Sequence, residues 1–326
     1  MRAGCRDMAH QNGSRQTRPR TVSPVVVGQL IFGMALFGTT TPISKIVGEN
    51  FPVFTAAFMR MAIAAVVLLP FVLAMTSRFA EATRRDWIVT GAIALFGMVG
   101  FTTAMLLGMR MTSGVIGATI MSSTPAVTAL AAVVFLGAAM NWLKAGALSL
   151  SVAGVVAINL LRTGGSESQN HLLLGAALVG VAVCLEAAYT LLSRKLSDGM
   201  SSPEVTLAAS LIAAVGFVAL AFFFDPAPFD FSGGDAAGWT ALLFFGIATG
   251  GLAPVIWYTG VRQAPGALVA SAMAVMPLSA LSLSYVLLGE AFHWSHLIGF
   301  GLVFIGLLLM VYEHVTGHHG ETEISK

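Results

Sequence analysis

Residues 108–142 read GMRMTSGVIGATIMSSTPAVTALAAVVFLGAAMNW, and residues 260–294 read GVRQAPGALVASAMAVMPLSALSLSYVLLGEAFHW. Laid side by side without a gap, Gly108, Arg110, Gly114, Ala118, Met121, Pro125, Gly137 and Trp142 fall on Gly260, Arg262, Gly266, Ala270, Met273, Pro277, Gly289 and Trp294. Gly154 and Gly306 extend the match at the same offset of 152 residues. Both stretches are too apolar for a soluble domain. A chain built from two repeated membrane units is a common plan for a small-molecule transporter, because a substrate site can lie between the units and face each side in turn.

The composition extends this reading to the whole chain. Of 326 residues, 56% are hydrophobic and only 10% are charged, against about 25% charged in soluble domains. Mean hydropathy is +0.84. The 35 glycines suit helices that approach closely through small residues. Cys5 and Cys184 lie in a polar tail and an apolar run, so neither a disulfide nor metal-ligand spacing is expected. The basic residues have no aromatic interleaving, and no nucleic-acid partner is read. The first residues carry Arg2, Arg6, Arg15, Arg18 and Arg20 with no cleavable apolar stretch, and read as a retained cytoplasmic tail.

A spanning helix needs roughly 20 apolar residues. Ten candidates follow, at 25–47, 53–75, 88–107, 115–136, 145–161, 172–193, 205–224, 239–259, 267–288 and 296–313. With the N-terminus inside, the cytoplasmic segments hold the five tail arginines, Arg78, Arg84, Arg85, Lys144, Arg194, Lys195, Arg262 and Lys326, which is 13 of the 17 Lys and Arg. The positive-inside rule therefore places both termini in the cytoplasm of a multi-pass protein of the inner (plasma) membrane. Five spans per unit is an odd number, so the second unit enters from the opposite side and the repeats are inverted. The expected fold is all-α integral membrane, with ten transmembrane helices as two inverted five-helix repeats. Residues 1–24 form a disordered tail, 25–163 the first unit, 172–313 the second and 314–326 a cytoplasmic tail.

The stretch Met276-Pro277 through Leu288-Gly289-Glu290 to Gly299 and Gly306 resembles the terminal part of an EamA-type repeat of the drug/metabolite transporter superfamily. Thr124-Pro125 to Gly137 matches it in the first unit, with Ala138 where the second has Glu290. Phe37-Gly38 through Lys45, and Pro52 followed by Arg60, resemble the front of such a unit. Glu186-Ala187 through Ser193-Arg194-Lys195 is the counterpart in the second, with a glutamate in place of the usual aromatic. The resemblance covers about residues 25–313. It implies ten helices in inverted repeats and export or exchange of small metabolites such as amino acids, without naming the cargo.

Glu186 is the sharpest candidate for transport chemistry. It lies about 14 residues from the outer end of its span, roughly 20 Å at 1.5 Å per residue. An ionised carboxylate there must be paired, hydrated or protonated. It either lines a cavity, to titrate with the cycle or bind a substrate amine, or is a structural carboxyl bonded to a neighbouring helix. Tyr189, Thr190 and Ser193 share its face. Arg60 can hold a substrate carboxylate through its bidentate fork or serve as a helix-pairing or snorkelling arginine, and the structural role is favoured. Lys45 and Arg194, symmetry-related at opposite faces, suggest interface anchors. Arg110 and Arg262 suggest helix C-terminal caps.

Thr39, Thr40, Thr41 and Ser44 beside Pro42, Thr102-Thr103, and Ser122-Ser123-Thr124 beside Pro125 break up their helices. Most such hydroxyls bond back to the backbone, but Thr40, Ser44, Thr103 and Ser123 are candidate cavity residues. Trp257 and Tyr258 after Pro254 form an aromatic wall or belong to the interfacial belt, as Trp142 and Trp294 do. The histidines fall into two groups on opposite faces, which does not favour a metal site. No cofactor is expected. The partners are a small-molecule substrate, membrane lipid and, where Glu186 titrates, protons; the oligomeric state stays open. A passive channel or facilitator without ion coupling shares this topology. A membrane-embedded enzyme is the weaker alternative, since neither a zinc motif, a nucleophile turn nor a phosphate loop is present.

Overall fold

The computed structural model describes residues 23–74, 79–137, 140–160, 166–193, 200–264, 268–269 and 272–324. The basic tail arginines, Cys5, Arg78, Ala138, Arg162, Arg194, Lys195, Gly266, Ala270 and Lys326 lie outside them.

Every regular element among the described residues is helical. Helix α1 runs Pro24–Gly38 and, after a break at Thr39, Thr40–Asn50; α2 is Val53–Ala74. Helix α3 comprises Arg84–Ile93, a π-helical stretch Ala94–Gly100 and Phe101–Met111. Helix α4 comprises Gly114–Met121 and Thr124–Leu136; α5 is Trp142–Leu160, α6 Ser166–Ser193 and α7 Ser202–Phe224. Helix α8 comprises Ala236–Phe244, a π-helical stretch Phe245–Leu252 and Ala253–Val261. Helix α9 is Val275–Leu288 and α10 is Trp294–Ile324.

Seven helices among the described residues are long and apolar enough to cross a membrane: α1 to α4 and α6 to α8. The apolar parts of α9 and α10, Val275–Leu288 and Trp294–Leu309, are shorter, and α5 has 19 residues. Large apolar side chains face outward along them, among them Val66 at 71%, Val215 at 74% and Phe223 at 82% exposed. A surface of that kind suits lipid, where helices satisfy their own backbone. The last helix continues to Ile324, past the expected end of the span at 313.

The expected helix breaks have visible causes. Pro42 has no N–H to give the preceding turn. Just before it, Thr39 Oγ1 donates to Leu36 O at 2.6 Å, and Ser279 Oγ of α9 donates to Ala35 O at 2.9 Å. In α4, Ser122, Ser123 and Thr124 donate back to Thr119 O, Ile120 O and Met121 O, ahead of Pro125. The sequence offset reappears in backbone form. The two π-helical stretches occupy matched places in α3 and α8. Gly137 and Gly289 both end a helix at positive φ, 66° and 61°.

The helices pack in pairs that exchange under the same offset. Helix α5 packs on α10 and α2 on α7, while α3 on α6 mirrors α8 on α1 and α4 on α6 mirrors α9 on α1. In the α5–α10 pair a Cβ on Gly154 would collide with Gly299 O, and one on Gly306 would meet Ala147 O at 2.8 Å. These glycines let the two backbones touch. Gly154→Val therefore has to push α10 away. We expect a loss of about 1–3 kcal/mol, as for overpacking of a core, read as a lower unfolding temperature in detergent. Gly28→Val, in open space, is the control.

Candidate functional site

A cavity of about 1320 Å³ lies among α1, α2, α3, α4, α6, α7, α8 and α9, and is lined from both halves of the chain. Its floor is formed by Thr40, Thr41 and Arg60, and its walls by Met34, Phe37, Met61, Met98, Phe101, Met121, Thr124, Glu186, Tyr189, Thr190, Trp257, Tyr258 and Met276. The lining continues to the start of α7, at Ser201, Ser202 and Glu204, and to Arg262 just past the end of α8. The cavity thus reaches the face on which α3 and α7 begin.

The opposite face, where α1 ends and α2 begins, is tied shut by charged side chains on helix ends. Asp225, at the end of α7, accepts from Phe54 N at 3.2 Å and from Thr55 N and Thr55 Oγ1 at 2.8 Å each, capping α2. Glu290 accepts from Gly114 N and, at 3.0 Å, from Val115 N, capping α4. Lys45 Nζ donates to Thr112 O at 3.0 Å and Met109 O at 3.5 Å, at the end of α3, and pairs with Glu49 at 3.1 Å. Each charge has the sign that its helix terminus favours. Asp225 and Glu290 connect the second half of the chain to the first.

Inside the cavity, Glu186 Oε2 accepts a hydrogen bond from Thr124 Oγ1 at 3.0 Å. Among the described residues no cation pairs with it. Thr190 Oγ1 donates to Glu186 O at 2.8 Å, and the Tyr189 ring lies against Gly97, whose missing side chain makes room for it. Arg60 is buried at 9% exposure. Its Nη1 donates to Thr102 Oγ1 at 2.7 Å, and its guanidinium lies 4.1 Å from the centre of the Phe245 ring. A chamber with apolar walls and a few polar and charged groups, wide enough for a small metabolite and tied at one face, is suited to hold and release a solute.

The EamA-like transporter family model matches residues 26–160 and 173–312, nearly the whole chain, in two copies. The chain belongs to the EamA-like transporter family. The resemblance read from Met276 to Gly306 is borne out. Uncharacterized transporter YetK of Bacillus subtilis (strain 168) is 30% identical over 278 residues, covering 85% of this chain and 84% of that protein. Uncharacterized transporter YyaM of the same organism is 24% identical over 277 residues, covering 83% and 88%. A solved crystal structure superposes with a TM-score of 0.63 at 16% identity, covering 90% of this chain and 99% of that one. That last likeness speaks for the fold alone. The family, YetK and YyaM are transporters by description.

In this EamA-like protein the cavity brings together Glu186, Tyr189, Thr190, Thr40, Trp257, Tyr258 and Arg60 from the sequence-based candidates. Ser44, Thr103 and Ser123 stand outside its lining. Ser123 is turned back to Ile120 O, and the hydroxyls of Ser44 and Thr103 are buried without partners. For Ser123 the reason is helical phase, since its neighbours Ser122 and Thr124 line the cavity; Ser44 shares the face of Thr40 and lies one turn beyond the lining. Lys45 is not a free interface anchor but closes the end of α3. The methionines of the lining were missed, because in a sequence they read as ordinary apolar core. The capping box formed by Ser201 and Glu204, which starts α7 at the cavity mouth, had a visible signal in its Ser-Ser-Pro-Glu spacing.

Proposed function

We propose that this protein is a secondary transporter that exports or exchanges small metabolites such as amino acids across the inner (plasma) membrane by alternating access. The observation that carries the reading is the cavity between the two halves, reaching one face while Asp225, Glu290 and Lys45 tie the other. Such a state is one of the two that alternating access needs.

Ten spans in two inverted five-helix repeats form the frame of this proposal. It is supported by the exchange of contacts between α5 and α10. Gly154 meets Gly299, and Ala147 meets Gly306, each residue mapping onto its counterpart 152 positions away. The two helices run antiparallel, because the earlier residue of one meets the later residue of the other. A two-fold operation that exchanges antiparallel helices lies across them, hence in the plane of a membrane. The face with Arg84, Arg85, Lys144 and Arg262 is then cytoplasmic, with both chain termini. On the other face Lys45 is engaged at the end of α3, and Arg110 lies in the last turn of that helix. The cavity thus opens inward. Glu186, Tyr189, Thr190, Thr40, Trp257, Tyr258 and Arg60 contact the substrate or the coupling proton, and Ser44, Thr103 and Ser123 serve the helix packing behind them.

The test is counterflow in reconstituted vesicles loaded with individual amino acids and related metabolites, with and without a pH gradient. Saturable uptake of labelled solute against internal unlabelled solute is expected for at least one of them. Linear, non-saturating flux that shows no counterflow is the result that a channel gives, and it would remove the transporter reading.

A further inference from the structure

Arg60 carries its charge into the protein without a counter-ion. It lies in α2, lines the cavity and is 91% shielded from solvent, given its 9% exposure. Thr102 takes one hydrogen bond from Nη1, and Phe245 covers the guanidinium plane. Nε is buried and has no acceptor. Among the described residues no carboxylate pairs with Arg60; the ion pair seen there is that of Lys45 and Glu49. A hydroxyl and a ring return less than the loss of hydration takes from a buried cation. Arg60 joins α2 to α3 and α8 through a hydroxyl and a ring alone, so its charge is left unbalanced, and it is not exposed as a snorkelling arginine would be.

The two contacts also fix which side of the guanidinium is committed. With Nη1 turned to Thr102, Nε buried and one face on Phe245, Nη2 is left over as a charged donor for a carboxylate oxygen. One guanidinium balances one negative charge, which favours a monoanion over a phosphate dianion. Around it the walls are soft and apolar, with Met34, Met61, Met98, Phe101 and Trp257. Methionine and aromatic walls accept apolar bodies of varied shape. We infer that the substrate of this cavity is an organic monocarboxylate with an apolar or aromatic body, its carboxylate held by Arg60. The inference rests on the transporter reading for its biological sense, but binding is measured without flux.

The experiment is isothermal titration of the full chain in detergent with two matched pairs, phenylacetate against phenylacetamide and hexanoate against hexanamide. The acids are expected to bind about tenfold or more tightly than the amides, the margin of a charge-assisted pair. Arg60→Gln is expected to erase the difference, and Arg60→Lys to keep part of it. Equal binding of acid and amide by the wild type, binding of neither acid, or an undiminished preference in Arg60→Gln would each overturn the inference. Circular dichroism and gel filtration report folding; if Arg60→Gln does not fold, the wild-type comparison and Arg60→Lys decide. Absence of counterflow with an intact acid preference sinks the transporter reading alone. Counterflow only of solutes that lack a carboxylate sinks this inference alone.

Discussion

Glu186→Gln is expected to reduce flux to background and to erase its response to a pH gradient, while the protein still inserts and folds. The substitution is nearly isosteric. Its side-chain carbonyl can still accept from Thr124 Oγ1, the hydrogen bond that Glu186 Oε2 makes at 3.0 Å. What it removes is the ability to carry a negative charge or a proton. In the cavity wall Glu186 has a hydroxyl partner and no cation among the described residues. An ionised carboxylate at that depth must be paired, hydrated or protonated; on the proposed cycle a proton or a substrate ammonium neutralises it. The measurement is counterflow and pH-driven uptake in vesicles, with Thr124→Val as a second variant. That change deletes the hydroxyl partner and leaves the carboxyl, and a shifted pH response with flux retained is expected. Unchanged flux and unchanged pH response in Glu186→Gln would reduce Glu186 to a structural carboxyl.

The sequence carried the outline of the fold because its strongest signals are local or repeated. Gly137 and Gly289 announce helix ends at positive φ, and Pro42 and Pro125 announce breaks that the neighbouring hydroxyls then repair. Glu186 was legible as a charge inside an apolar run. Arg60 was legible as a cation out of place, but its position, the usual one in such a repeat, favoured a structural role; only the absence of a paired carboxylate among the described residues shifts the balance. The π-helical stretches at 94–100 and 245–252 were not legible, since one extra residue per turn leaves no mark in composition. Contacts across 170 positions or more, such as Asp225 on Thr55 and Glu290 on Gly114, depend on which helix ends meet. The repeat offset alone does not give that.

Glu290→Ala is expected to move the protein toward the state open at the opposite face. The two carboxylate oxygens close the first two N–H groups of α4, at Gly114 and Val115, and Ser113 closes the next at Ile116. Hydrogen bonds to a charged group contribute about 1.5–3 kcal/mol, and the helix dipole adds to them. The tie joins the loop after α9 to the start of α4, so it holds the two halves together at the face that the cavity does not reach. In the first half the matching residue is Ala138, outside the described residues, which has no carboxylate to offer. Closure is thus reinforced with this charge at one face only, which favours the state open at the other face. Losing about 2 kcal/mol changes the ratio of two states about thirtyfold. The measurement uses Thr41→Cys, at the cavity floor, in a background with Cys5 and Cys184 changed to serine. Labelling by a membrane-impermeant thiol reagent from outside is expected to rise in Glu290→Ala, and to rise less in Glu290→Gln, which keeps one acceptor. A lower unfolding temperature with unchanged labelling would mean that Glu290 stabilises the helix end without setting the balance between states.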